Sequence, residues 1–172
     1  LGLSLAALAL GVVTTGLVFV GFRGYWADYL YQRAFYQSDG AAKISLLRRA
    51  SVTNPFLAEY QIILARTLAN QAQASVQQGL GDRASREIAE SVQAGWRAVN
   101  LSPNRVAAWE TLGSVYQSAQ GLVEGVGEWS IKSFEKAIEY IEAIGFINIL
   151  EHDRKLLAYA RKKLGELPGI IL

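Results

Sequence analysis

Apolar residues recur every three or four positions along most of the chain after residue 40. This spacing places them on one side of an α-helix, because such a helix has 3.6 residues per turn. The sustained alternation of apolar and polar residues that a strand would show is absent from the sequence. The pattern therefore predicts an all-α protein, with helices over residues 42–50, 57–74, 84–101, 106–119, 131–144 and 149–164.

Prolines and glycines separate these predicted helices. Pro55 and Pro103 each stand between two periodic segments, where a residue without a backbone donor ends one helix and suits the first turn of the next. Glycine-rich links occur at 79–82 and at 121–127. Short links favour antiparallel neighbours, so the sequence predicts a series of helical hairpins.

The N-terminal segment differs from the rest because residues 1–22 contain no charged residue, and Arg23 is the first. A helix of this length spans on the order of 33 Å, which is close to the hydrocarbon thickness of a bilayer. The Ser38-Asp39-Gly40 cluster is a plausible end for it. We therefore predict two domains, an apolar helix over 1–37 and a helical head over 38–172.

Three roles remain open for the apolar segment at this point. It is expected to be a membrane anchor, the core of an oligomer or filament, or a retained secretory signal. The residues expected to be buried by anchoring or assembly are Leu5, Leu8, Val12, Val13, Leu17, Phe19 and Phe22. The chain contains no Met, even at position 1, which favours a processed terminus or a segment of a longer protein.

One part of the head contains a specific spacing motif. Trp109, Leu112, Gly113 and Tyr116 follow the pattern W-x2-L-G-x2-Y, in which a large residue fills the groove that a small residue leaves between two helices. The second helix of the same unit contains Ser130, Phe134 and Ala137 in matching positions. Residues 106–137 therefore resemble a tetratricopeptide repeat, a helix–turn–helix unit of 34 residues.

Weaker traces of the same repeat precede this unit. Ala98 and Pro103 match the end of one unit, and Ala50 and Pro55 match the end of another. The two prolines are 48 residues apart, so the middle unit must have longer helices or a longer link than the family pattern. The resemblance implies a scaffold of stacked hairpins that binds proteins.

The segment from 98 to 116 is also similar to the repeat domains attached to bacterial O-antigen polymerase-like membrane proteins. That similarity implies a location in the cell envelope, whether membrane-anchored or on the extracellular surface. It also leaves open that the chain is a fragment of such a polymerase.

The composition argues against most enzymes and against nucleic-acid binding. The chain has no Cys and one His, which removes thiol chemistry and most conventional metal sites. Its 17 basic and 15 acidic residues give a net charge of +2, without the basic surplus that nucleic acids attract. We therefore expect no enzymatic activity, cofactor, metal or small-molecule substrate.

Two further features invite a binding interpretation. The four tryptophans, Trp26, Trp96, Trp109 and Trp129, allow a ligand cage, although packing within the repeat is the favoured role for Trp96 and Trp109. The aliphatic residues at 170–172 are expected to dock on the last helix or on a partner. The sequence as a whole favours a non-enzymatic scaffold for protein partners, with a self-assembling, pilus-like filament subunit as the alternative.

Overall fold

The computed structural model describes residues 2–165, apart from the side chains of 2–10, 12, 13, 17, 146, 147, 149, 164 and 165. These residues form seven helices. They are α1 (Gly2–Phe35), α2 (Gly40–Thr53), α3 (Ala58–Gln77), α4 (Gly81–Leu101), α5 (Val106–Ser118), α6 (Val126–Ile144) and α7 (Phe146–Gly165).

The prediction of an all-α chain is confirmed, since no strand occurs within residues 2–165. The periodic segments identified in the sequence coincide with α2 to α7, and the largest difference is the start of α6 at Val126. Gly125 there adopts a φ of 78°, a left-handed conformation that favours glycine and sets the turn before the helix. Asp39, expected to end α1, instead caps α2 by accepting bonds from the amides of Ala41 and Ala42.

The N-terminal helix forms, but its predicted role in a membrane is not supported. Among the described residues, no helix combines the length and the apolarity needed to cross a bilayer. The predicted buried residues Leu5, Leu8, Val12, Val13 and Leu17, and the tail at 167–172, lie outside the described side chains.

Helices α1 to α6 pack as three antiparallel hairpins, α1 with α2, α3 with α4, and α5 with α6. Contacts of α2 with α3, and of both α3 and α4 with α5, stack the hairpins on one another. Their shared core contains the fully buried Leu47, Leu68 and Leu112. Helix α7 contacts α6, and all its described side chains are exposed.

The C-terminal half of α1 belongs to this packed stack. Ala27, Leu30 and Ala34 are buried and recur at the spacing that forms one helix face. The rings of Tyr31 and Tyr60 join α1 to α3 with their centroids 5.0 Å apart. Burial raises the pKa of both phenols above its ordinary value, because a desolvated site disfavours the charged form. The division of the chain into 1–37 and 38–172 stays a prediction.

A buried serine closes each of the two later hairpins. The Ser91 hydroxyl on α4 donates to the carbonyl of Ala65 on α3 over 2.7 Å. The Ser130 hydroxyl on α6 donates to the carbonyl of Gly113 on α5 over 2.9 Å. These two bonds are equivalent, so they align Ala65 with Gly113 and Ser91 with Ser130.

Glycine permits the closest of these approaches. A Cβ atom on Gly113 would lie 3.0 Å from three atoms of the Phe134 ring, which is tighter than ordinary van der Waals contact. A Cβ atom on Gly95 would lie 3.0 Å from Leu112 Cδ1. Small residues therefore stand where α5 meets α6 and where α4 meets α5.

We predict that Gly113→Ala destabilises the protein, although alanine is the better helix former. Overpacking against the Phe134 ring costs about 1–3 kcal/mol, and the helix propensity of alanine offsets about 1 kcal/mol. Urea denaturation should show a lower midpoint. Gly24→Ala is the matched control, because nothing lies within 4 Å of its added Cβ, and it should leave the midpoint unchanged or raised. Equal midpoints for both variants would contradict the packing argument.

Candidate functional site

Helices α3 and α5 lie side by side in the same direction and in a fixed register. Arg66 Nε donates to Thr111 Oγ1 over 2.9 Å, across a separation of 45 residues. The Gln73 side chain donates to Ser118 Oγ over 3.4 Å, again across 45 residues. The same separation recurs two helical turns further along, which requires parallel helices with equal rise.

A stripe of polar side chains follows the exposed face of α3 along this junction. Arg66, Asn70, Gln73 and Gln77 recur at intervals of four, three and four residues, and all four are exposed. This spacing keeps them on one side of the helix. The stripe runs opposite to the buried Leu64 and Leu68 side chains that hold α3 in the core.

Helix α5 presents a matching stripe on the other side of the junction. Glu110, Ser114 and Gln117 follow the same intervals and are exposed, and Gln120 continues the line beyond the helix. Together the two stripes border two adjoining clefts of about 430 and 630 Å³, which share Ser118. We call this continuous surface the α3–α5 trough.

The floor of the trough is buried, and its polar rims are exposed. Ala69 and Val115 line it and are buried in the core. Thr111 is fully buried and its hydroxyl donates to the carbonyl of Ala107 over 2.7 Å while accepting from Arg66. The bond from Arg66 to Thr111 holds one edge of the guanidinium against α5. The remaining N–H groups of Arg66 line the cleft.

The electrostatics of the trough are balanced. Arg66 and Glu110 contribute one charge of each sign, and the other lining groups are amides, hydroxyls and apolar side chains. Amide side chains donate and accept hydrogen bonds at once. Such a surface suits a ligand with alternating donors and acceptors, and it offers no concentrated charge to an ion or a nucleic acid.

The residues of the repeat motif lie mainly beneath this surface. Leu112, Tyr116, Ser130, Ala137 and Ala98 are buried. Trp109 is half-buried, and its indole N–H donates to the carbonyl of the exposed Pro103 over 2.7 Å. Phe134 is half-buried against Gly113 and also lines the trough. Pro55 is exposed in the turn between α2 and α3, while Phe19 and Phe22 are exposed on α1.

Of the residues that line the trough, Phe134 was identified in the sequence, whereas the polar residues of the two stripes were not. The polar stripe on α3 was present in the sequence at a helical spacing, opposite the apolar stripe used to predict the helix. A polar stripe alone is also what any solvated helix face shows. Only the parallel packing of α3 and α5 distinguishes these residues from ordinary surface.

Comparisons with known proteins assign no family to the chain. No protein-family model matches it, and the curated proteins give no significant match.

Two solved structures, with the titles "Crystal structure of MamA" and "Crystal structure of MamA protein", are similar to it at 22% identity and a TM-score of 0.47. They match 68% and 69% of this chain, which spans 59% and 56% of theirs. A likeness at this level establishes neither activity nor partner. The similarity to O-antigen polymerase-like proteins stays a prediction.

We predict that Thr111→Val weakens the junction between α3 and α5. Valine has nearly the same shape, but it cannot accept the bond from Arg66, and a hydrogen bond to a charged group contributes about 1.5–3 kcal/mol at most. The expected loss in the free energy of unfolding is about 1 kcal/mol, because in the variant Arg66 forms its hydrogen bond with water instead.

Thr67→Val is the matched control for this experiment. Thr67 lies on α3, and its hydroxyl donates within its own helix to the carbonyl of Ile63 over 2.8 Å. Urea denaturation of both variants should show the larger loss for Thr111→Val. Equal losses would mean that the bond between the helices contributes nothing to stability.

Proposed function

We propose that this chain is a non-enzymatic scaffold that binds a partner protein along the α3–α5 trough. The observation that supports this function is the pair of parallel polar stripes, held in register by the Arg66–Thr111 and Gln73–Ser118 bonds. A ligand bound there would contact α3 and α5 together.

The form of the trough fits an extended segment of polypeptide. Residues 66 to 77 of α3 rise by about 16 Å, which equals the length of about five residues in extended conformation. Each peptide group of such a segment presents one donor and one acceptor, and Asn70, Gln73, Gln77 and Gln117 provide complementary amides. At one end of the segment, Arg66 would favour an acidic side chain and Glu110 a basic one.

Peptide selection tests this proposal. A phage library of random 12-residue peptides is panned against the full chain, and enriched peptides are synthesised for titration calorimetry. The combined variant Asn70→Ala, Gln77→Ala, Gln117→Ala should weaken their binding at least about tenfold, because each lost hydrogen bond costs about 0.5–1.5 kcal/mol. All three side chains are exposed, so the variant should retain its fold.

Gln93→Ala is the control, because Gln93 is an exposed amide on α4 outside the trough. It should leave peptide affinity unchanged. Selection of no peptide, or of peptides that bind the trough variant as tightly as the original chain, would refute the proposal.

A second candidate function is self-association through α1. Phe19, Phe22, Trp26 and Tyr29 recur at three- and four-residue intervals and are 61%, 63%, 40% and 43% exposed. An aromatic stripe of this kind is typical of a surface that another molecule covers. This arrangement supports assembly of several copies, and a cell-envelope location for the assembly is part of the same proposal.

We predict that the full chain of 18.8 kDa sediments as an oligomer without detergent. The double variant Phe19→Ser, Phe22→Ser should shift it toward the monomer, because it removes apolar area from the contact. Phe56→Ser is the control, since Phe56 is 83% exposed in the turn between α2 and α3. A monomeric full chain would refute self-association, and a chain that disperses only in detergent would indicate lipid as the occupant instead.

A further inference from the structure

Three tryptophans from three different helices meet at a pocket outside the trough. Trp96 on α4, Trp109 on α5 and Trp129 on α6 line a cavity of about 250 Å³, together with Lys132, Ser133, Glu135, Lys136 and Glu139. This pocket and the α3–α5 trough share no lining residue. We call it the tryptophan pocket.

Hydrogen bonds hold two of the indole rings in place. Trp96 Nε1 donates to the Tyr116 hydroxyl over 2.8 Å, and Trp109 Nε1 donates to the Pro103 carbonyl over 2.7 Å. The two rings meet edge to face, with centroids 6.3 Å apart and planes at 76°. Trp129 is 50% exposed and forms the outer wall. Walls fixed in this way lose little conformational entropy when a ligand binds.

The repeat fold does not require aromatic residues at these positions. Ala65 and Gly113 are equivalent by their serine bonds, so Gln61 and Trp109, each four residues earlier, are also equivalent. The middle hairpin thus packs with a buried Gln61 where the last hairpin has an indole. Trp109 packs against the core, but the middle hairpin shows that the same place can be filled without an indole.

Trp96 and Trp129 occupy positions that an ion pair occupies at the preceding junction between hairpins. Glu90 and Trp129 are equivalent, because each stands one residue before the hairpin serine, Ser91 or Ser130. Arg48 and Trp96 are equivalent, because each stands two residues before the repeat alanine, Ala50 or Ala98. Arg48 donates to both carboxylate oxygens of Glu90 across α2 and α4. At the equivalent place between α4 and α6, the chain has Trp96 and Trp129 and no arginine. The first junction is closed by an arginine of the chain itself, and the second is left open.

The charges around the tryptophan pocket leave one carboxylate available. Lys132 pairs with Glu128 over 2.7 Å, and Lys136 pairs with Glu139 over 2.6 Å. Glu135 makes no ion pair within the described part of the chain. The two lysines and two glutamates that line the pocket carry no net charge, and Glu128 beside Lys132 brings the five groups to one net negative charge. Glu135 is therefore the carboxylate that remains for a cationic ligand.

The ammonium group of Lys132 already lies against one wall of the tryptophan pocket. Lys132 Nζ lies 5.0 Å from the centroid of the Trp129 ring, a distance at which the negative face of the ring attracts a cation. The outer wall of the pocket is thus an aromatic face that stabilises positive charge.

We propose that the tryptophan pocket binds an arginine side chain of a partner protein. A guanidinium group stacks on indole faces and pairs with a carboxylate through two parallel hydrogen bonds. Trp129 and Trp109 provide the faces, and Glu135 provides the carboxylate. Arginine fits better than lysine, because a guanidinium is more weakly hydrated than an ammonium group and gives up its water at lower cost.

Nuclear magnetic resonance of the full chain labelled with ¹⁵N tests this site independently of the trough. The probe is the peptide acetyl-Gly-Arg-Gly-amide, and its matched control contains citrulline, which has nearly the same shape and no charge. The arginine peptide should shift the indole N–H resonances of Trp96, Trp109 and Trp129 to saturation. The resonance of Trp26 on α1 should stay in place.

Two carboxylate variants separate the site from general attraction of cations. Glu135→Gln should weaken the arginine peptide about tenfold, because it removes a hydrogen bond to a charged group. Glu142→Gln removes an exposed carboxylate two turns further along α6, outside the pocket, and should leave the affinity unchanged. Trp129→Ala should weaken binding about threefold or more through the lost cation–π contact.

Three results would overturn the proposal. These are equal shifts with the citrulline peptide, equal weakening by Glu135→Gln and Glu142→Gln, and absence of any saturable shift at the three indoles. Tighter binding of a lysine peptide than of the arginine peptide would also refute the assignment to arginine. The trough variant Asn70→Ala, Gln77→Ala, Gln117→Ala should bind the arginine peptide with unchanged affinity, because the two surfaces are separate.

Discussion

The whole architecture depends on how closely two helices approach within a hairpin. In each of the later hairpins a buried serine hydroxyl reaches a backbone carbonyl of the partner helix, Ser91 to Ala65 and Ser130 to Gly113. Such a bond forms only where both helices have small residues at the crossing. It satisfies a buried hydroxyl, whose desolvation would otherwise cost about 1–3 kcal/mol, and thereby fixes the rotation of both helices.

Once that rotation is fixed, the surfaces of the molecule follow. The first helices of successive hairpins become parallel neighbours, which aligns the polar stripes of α3 and α5. The second helices, α4 and α6, place Trp96 and Trp129 beside Trp109 at another site. A single packing rule thus gives the molecule two distinct surface clefts, one lined with amides and one with indoles.

The sequence revealed the helices and one hairpin, and the reason for the rest is physical. The last hairpin was recognisable because Trp109 and Gly113 keep the family motif. In the middle hairpin Gln61 and Ala65 occupy the equivalent places, so the crossing is preserved while the motif is lost. Any small residue permits the approach, and no single residue type marks it. The role of α1 was harder to predict, because an apolar helix is equally compatible with lipid and with protein.

The described side chains of α7 are all exposed, whereas α3 contacts the hairpins on both sides of its own. In a stack of this kind each layer is stabilised chiefly by its immediate neighbours. The free energy of local opening should therefore rise from α7 inward, and the backbone amides of α7 should exchange with solvent long before those of α3. The end of the stack nearest α7 is thus the place where the molecule can rearrange while α3 and its neighbours stay packed.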